Sequence, residues 1–315
     1  MAELHEMEMR AVYADTLIEL MKENDKIVCV EADLGRATGT YPKVHDAFPG
    51  RFIDVGVAES NLIGISAGLA NDGKIPFCAS FTPFATRRAY DQITISVAYS
   101  NNNVKIVGTS PGISATMNGG THMCMQDLAI MRAMPNMEVY SPADSYEVRA
   151  IVKYMASVKK PMYLQLLREK YGKIFDANVT FDPKKARIVK EGTDVTLVAT
   201  GLGTQFAFKA LSLLADKGVS AELLHYPSVK PFDADTLVAS AKKTNAVVVV
   251  DNGSVIGGLG GAVCEVLSEK YPVRVTRLGA QDRFGEVGTL DYLADIIGIS
   301  PAKIADACVA AKKAK

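Results

Sequence analysis

Glu59 follows a short apolar run and opens a segment rich in glycine and alanine, which puts it past a strand's carboxyl end and at the head of a helix. There the helix macrodipole and unpaired amides favour the carboxylate while apolar packing favours the neutral acid, the setting of a tuned proton donor or acceptor. An ordinary acidic helix start shares that spacing. In Ser80-Phe81-Thr82-Pro83-Phe84 two aromatics three residues apart flank a proline, a stiff pair able to lay a ring face against a flat heterocycle. Core packing is the plainer account of the same two rings. The run from Ser110 to His122 is long and built of small residues, as binding loops are, and it delivers one of only four histidines. A solvated loop histidine would look the same.

Other devices are weak or missing. The glycines from Gly257 to Gly261 suggest a dinucleotide loop only with the wrong offset, and tight helix packing explains them equally well. No P-loop, GxSxG, HExxH or kinase motif occurs. The five cysteines, Cys29, Cys78, Cys124, Cys264 and Cys308, are odd in number and never in CxxC spacing, so buried thiols are expected, without a disulfide framework or zinc site. Thirty-five basic side chains balance 35 acidic ones, which argues against nucleic-acid or acidic-membrane partners. No apolar stretch reaches the roughly 18 residues a membrane span needs, and Glu3, Glu6, Glu8 and Arg10 replace a signal sequence, so a cytoplasmic protein is expected.

Strands must position these residues. Apolar runs predict strands from Lys26 to Val30, Phe52 to Val55, Pro76 to Ala79, Val104 to Val107, Met137 to Tyr140 and Met162 to Leu166, with helical spacing between them. That alternation predicts a parallel, doubly wound sheet whose ligands bind outside the strands' carboxyl ends, where Asp33, Glu59, the Phe81 loop and the 108–122 loop all fall. Gly64, Ala67, Gly68 and Ala70 after Glu59 predict a helix packed so closely that little beyond backbone fits on one face. From Tyr171 to Asp194 the composition turns polar, as in a linker. A second α/β sheet follows, with strands from Val195 to Ala199, Ala221 to Leu224, Ala246 to Val250 and Val273 to Thr276. The fold class is therefore α/β, two doubly wound domains over residues 1–185 and 186–315, the second smaller.

Taken together, Glu31-Ala-Asp-Leu34, Gly50 to Glu59, Ser80 to Phe84, and Asn118-Gly-Gly-Thr-His122 with the later Met134 to Met137 resemble the transketolase family over essentially the whole chain. The match is to its pyrimidine-binding and C-terminal domains, the N-terminal third being absent. The resemblance implies a thiamine diphosphate enzyme. In it Glu59 would hydrogen-bond the ring nitrogen of the cofactor's aminopyrimidine, Phe84 would stack on that ring, Phe81 would line the same pocket, and Asp33 and Leu34 would lie near the cofactor. His122 would contact the donor sugar's hydroxyls, Arg10 and Arg168 would grip its terminal anion, and arginine's paired donors suit such an oxyanion. Two positions depart from the family pattern: Ser110 stands where a basic residue is expected, and the substrate-loop residue Asn118 replaces an aspartate. A sulfonate could thus take the place of a phosphate, with Arg36 compensating for the lost base.

The family's GDG signature and downstream asparagine, which hold Mg2+ and the diphosphate, do not occur here. The resemblance therefore implies an N-terminal partner subunit carrying them, a heterotetramer of two plus two chains, and transfer of a two-carbon ketol unit from an anionic ketose to an aldose in carbohydrate metabolism of the pentose phosphate kind. Related architectures are deoxyxylulose phosphate synthase and the beta subunits of 2-oxo acid dehydrogenases; a non-catalytic scaffold is the alternative of another class.

Overall fold

The structure, a computed structural model, describes residues 3–315. They form two compact units: residues up to Pro111 with Ile130–Phe181, and Gly112–Ala129 with Asp182–Lys315. The segment 112–129 thus packs with the second unit, although it lies inside the contiguous first domain that the sequence suggests.

The first unit is built on β1 (Ile27–Glu31), β2 (Phe52–Asp54), β3 (Ile75–Phe81), β4 (Lys105–Thr109), β5 (Glu138–Tyr140) and β6 (Met162–Leu166), in the order β5-β6-β4-β3-β1-β2. Every pairing among these is parallel. Strands covered on both faces read as continuous apolar runs, and β1, β4 and β6 are buried at all five positions.

The second unit carries β7 (Arg187–Lys190), β8 (Val195–Ala199), β9 (Ala221–His225), the three-residue β10 (Ser228–Lys230), β11 (Val247–Ser254) and β12 (Val275–Ala280). Its sheet runs β12-β11-β8-β9-β7, parallel except for β7. β7 lies inside the stretch that sequence composition marks as linker. Its residues alternate between half-buried and exposed, so an edge strand with one wet face lacks the apolar run that announces the others.

The Glu59–Asn71 helix also differs from expectation. A Cβ added to Gly64 or Gly68 would meet nothing within 4 Å. The two glycines thus leave a face open on this chain, while Ala67 is buried on the packed side. Among the described residues no helix is long and apolar enough to cross a membrane. None of the five cysteines is in a disulfide; four are buried and Cys264 is half-buried.

Glu31 closes β1 inside the core. Thr38 and Thr40 donate their hydroxyls to its Oε1 at 2.7 and 2.6 Å, while Oε2 has no partner. Burial therefore pushes the carboxyl from an ordinary 4.5 up to about 8. A carboxyl raised on folding contributes stability that is complete below the unfolded value and lost as pH rises through about 8. Glu31→Gln is uncharged throughout, so urea unfolding at pH 5 and pH 9 should show wild type losing on the order of a few kcal/mol more than the variant. Parallel losses would place that proton elsewhere.

Candidate active site

From β1 the chain crosses to β2 on one side and then returns to β3 on the other, so the loops after β1 and β3 diverge. Such a reversal opens a crevice at the strands' carboxyl ends. Phe81 is the last residue of β3, Asp33 and Leu34 follow β1, and Gly56 to Glu59 follow β2. Asp54 ties the loops together: its Oδ1 accepts the Asp33 and Gly56 amides, both at 2.9 Å. Both donors have left-handed backbone, with φ of 58° at Asp33 and 74° at Gly56. Glycine adopts that conformation freely and aspartate better than most residues.

Glu59 is the first residue of its helix and only 4% exposed. Its Oε1 accepts a hydrogen bond from Arg88 Nη1 at 2.9 Å. The Arg88 guanidinium carbon lies 4.0 Å from the centre of the Phe84 ring, so one flat cation spans the carboxylate and the aromatic face. The Phe81 and Phe84 rings are 6.2 Å apart, Phe81 buried and Phe84 half-buried. Composition gives no reason to single out Arg88, whose role appears only once the helix head and the Phe84 turn are brought together.

Phe81 leads on to the arginines. Arg168 lies 5.6 Å from its ring centre, and the Arg168 Nε is buried without a partner. Burial and then the neighbouring Arg10 charge hold the Arg168 guanidinium below its ordinary range. Arg10 donates to Glu8 Oε2 at 2.8 Å and to the Ala37 carbonyl at 3.0 Å. Two half-buried arginines that repel each other, one with an unused donor, suit an anion. Ala37 in turn lines a cavity of about 330 Å³ with Asp33, Leu34, Arg36 and Tyr41, where Arg36 lies over the Tyr41 ring at 4.8 Å. Ser110 adds no charge: its Oγ is buried and unpartnered.

The first unit thus gathers Arg10, Asp33, Leu34, Glu59, Phe81, Phe84 and Arg168. Asn118 and His122 belong to the second unit, Asn118 exposed and His122 half-buried with Nδ1 2.9 Å from Thr121 Oγ1. Their segment starts at Gly112, φ 52°, where a Cβ would come within 2.1 Å of the Asn252 carbonyl oxygen; only glycine permits that approach. At the glycines near Gly258 the helix start already has an acceptor. Asp251 Oδ2 accepts the Leu259 amide at 3.2 Å, putting a carboxylate at the N-terminus of the Leu259–Lys270 helix where an anion would sit.

A flat, hydrogen-bonding ring fits between Glu59 and Phe84, since a guanidinium with those properties already makes both contacts. Among the described residues no group of three or more His, Cys, Asp or Glu side chains is placed to hold a metal ion.

Residues 5–173 match the model of the transketolase pyrimidine-binding domain and residues 184–304 that of the transketolase C-terminal domain. The chain is 48% identical to the 6-deoxy-6-sulfo-D-fructose transketolase subunit SqwH of Clostridium sp. strain MSTE9, over 96% of this chain and 93% of that protein. It is 35% identical to one of the subunits of the apulose-4-phosphate transketolase of Phocaeicola vulgatus, over 87% of each. A solved structure described as a split-gene transketolase in an inactive β4 tetramer superimposes with a TM-score of 0.90 at 42% identity, covering 98% of this chain and 99% of that one. The chain accordingly belongs to the transketolase family, whose members depend on thiamine diphosphate, and carries its pyrimidine-binding and C-terminal domains.

Proposed function

We propose that this chain is the C-terminal subunit of a split transketolase that moves a two-carbon ketol unit from an anionic ketose to an aldose. The observation that carries this reading is the buried Glu59 carboxylate facing the same flat group as the Phe84 ring. Thiamine diphosphate, when bound, would supply a thiazolium carbon that is nucleophilic once its proton is removed, and a cationic ring able to take up the electron pair of a broken carbon–carbon bond. Glu59 holds a proton against the ring nitrogen of the aminopyrimidine, and its near-complete burial strengthens that hydrogen bond. Phe84 offers a ring face and Phe81 backs it, with Asp33 and Leu34 near the cofactor. His122 and Asn118 contact the sugar's hydroxyls. Arg10 and Arg168 bind its terminal anion, a phosphate or a sulfonate, the latter in keeping with the sulfofructose in the name of the Clostridium relative.

The Mg2+ and diphosphate ligands come, in this reading, from an N-terminal subunit bearing a GDG motif, in a heterotetramer of two plus two chains. The open Gly64 and Gly68 face, with exposed Val57, Ile95 and Tyr99 on the same unit, supports an assembly in which apolar surface is covered. The chain alone should bind thiamine diphosphate weakly and no tighter than thiamine, because the GDG signature that holds the diphosphate in this family does not occur in its sequence. Calorimetry with both ligands tests this, and tight, diphosphate-dependent binding to the isolated chain would overturn the two-subunit reading. Adding the partner and screening ketose phosphates beside ketose sulfonates then identifies the donor.

A further inference from the structure

The Arg88 guanidinium takes up the space that the proposed function gives to a cofactor ring. It donates to Glu59 Oε1 at 2.9 Å and lies 4.0 Å from the centre of Phe84. A guanidinium is planar, hydrogen-bonds in its plane and stacks on aromatic faces. An aminopyrimidine shares all three properties, so the two compete for the same two partners. We propose that Arg88 is a stand-in for that ring: it pairs Glu59 and covers Phe84 in the cofactor-free chain, and it swings into solvent when the ring enters. The inference rests on the assignment of Glu59 and Phe84 to the ring.

Two observations give Arg88 this part. Glu59 is 4% exposed, and a carboxylate at that depth with no partner is strongly unfavourable. The stand-in therefore keeps the site formed while it is empty. The Arg88 side chain is itself 48% exposed and sits on the one-turn helix Arg87–Ala89, so its departure returns a charge to water without disturbing the sheet. A competitor of this kind lowers the apparent affinity for the ring by the fraction of molecules in which it is out.

The consequence is a pair of effects of opposite sign. In the full-length chain Arg88→Ala should unfold at a lower temperature than wild type in the absence of ligand. The same variant should bind 4-amino-5-hydroxymethyl-2-methylpyrimidine about tenfold more tightly by calorimetry. Arg88→Lys keeps the charge but loses the plane, and should tighten binding by a smaller factor even if the alanine variant folds poorly. A purely structural arginine would lose stability and affinity together. Unchanged or weaker probe binding in both variants, or an unchanged unfolding temperature in Arg88→Ala, overturns the inference. The underlying ring assignment fails on a separate result: Glu59→Ala binding the probe as wild type does, or no probe binding by any of these proteins.

Discussion

Glu59→Gln, assembled with the proposed N-terminal subunit, is expected to lose turnover by a factor on the order of a hundred or more, the usual worth of a positioned proton-transfer group. Cofactor affinity should change far less. Glutamine keeps the length and can still hydrogen-bond the ring nitrogen, and it fits a site where the carboxylate is 4% exposed. It has no acidic proton to share. Deuterium exchange at the thiazolium carbon, followed by NMR after acid quench, isolates that step from substrate binding and product release. A variant exchanging as fast as wild type would reduce Glu59 to a helix-start acid and restore the scaffold alternative.

Arg168→Ala is expected to raise KM for an anionic ketose roughly ten- to a hundredfold, the worth of one charge-assisted pair, with a smaller loss of turnover. Its partial burial and the nearby Arg10 charge both disfavour the guanidinium, so an incoming anion relieves a tension already present in the folded chain. The unfolding temperature should therefore change little. Arg10→Ala should also raise KM, but at some cost to stability, because Arg10 also bonds Glu8 and the Ala37 carbonyl. Steady-state kinetics with a charged ketose and a neutral analogue separates these effects, since only the charged donor should respond. Equal KM values for wild type and both variants would place the anion pocket elsewhere.

Strand existence and the family were legible in the chain's residues because central parallel strands are continuous apolar runs and because Glu31 to Leu34, Gly50 to Glu59 and Ser80 to Phe84 keep a joint order. Features that depend on two distant segments were not legible. Arg88 is 29 residues from Glu59 and looks like any exposed arginine until its plane is seen against Phe84. Asp54 joins two loops through amides that carry no sequence signal. Gly64 and Gly68 are ambiguous in principle, since a helix face without side chains is equally a sign of close packing and of a surface left for another chain. β7 was hidden because an edge strand needs only half its residues buried.

The placement of residues 112–129 has a consequence for anyone wishing to divide this protein. The backbone passes between the two units after Pro111, again after Ala129 and a third time after Phe181. A chain ended at Phe181 would carry away eighteen residues, 112–129, whose packing partners remain behind, among them Asn252 and Gly285 beside Gly112 and Gly120. A protease cut after Phe181 would leave two pieces still joined through that segment. Swapping the carboxyl-terminal half with that of a relative would likewise require exchanging residues 112–129 with it, so the portable modules of this chain are discontinuous in its gene.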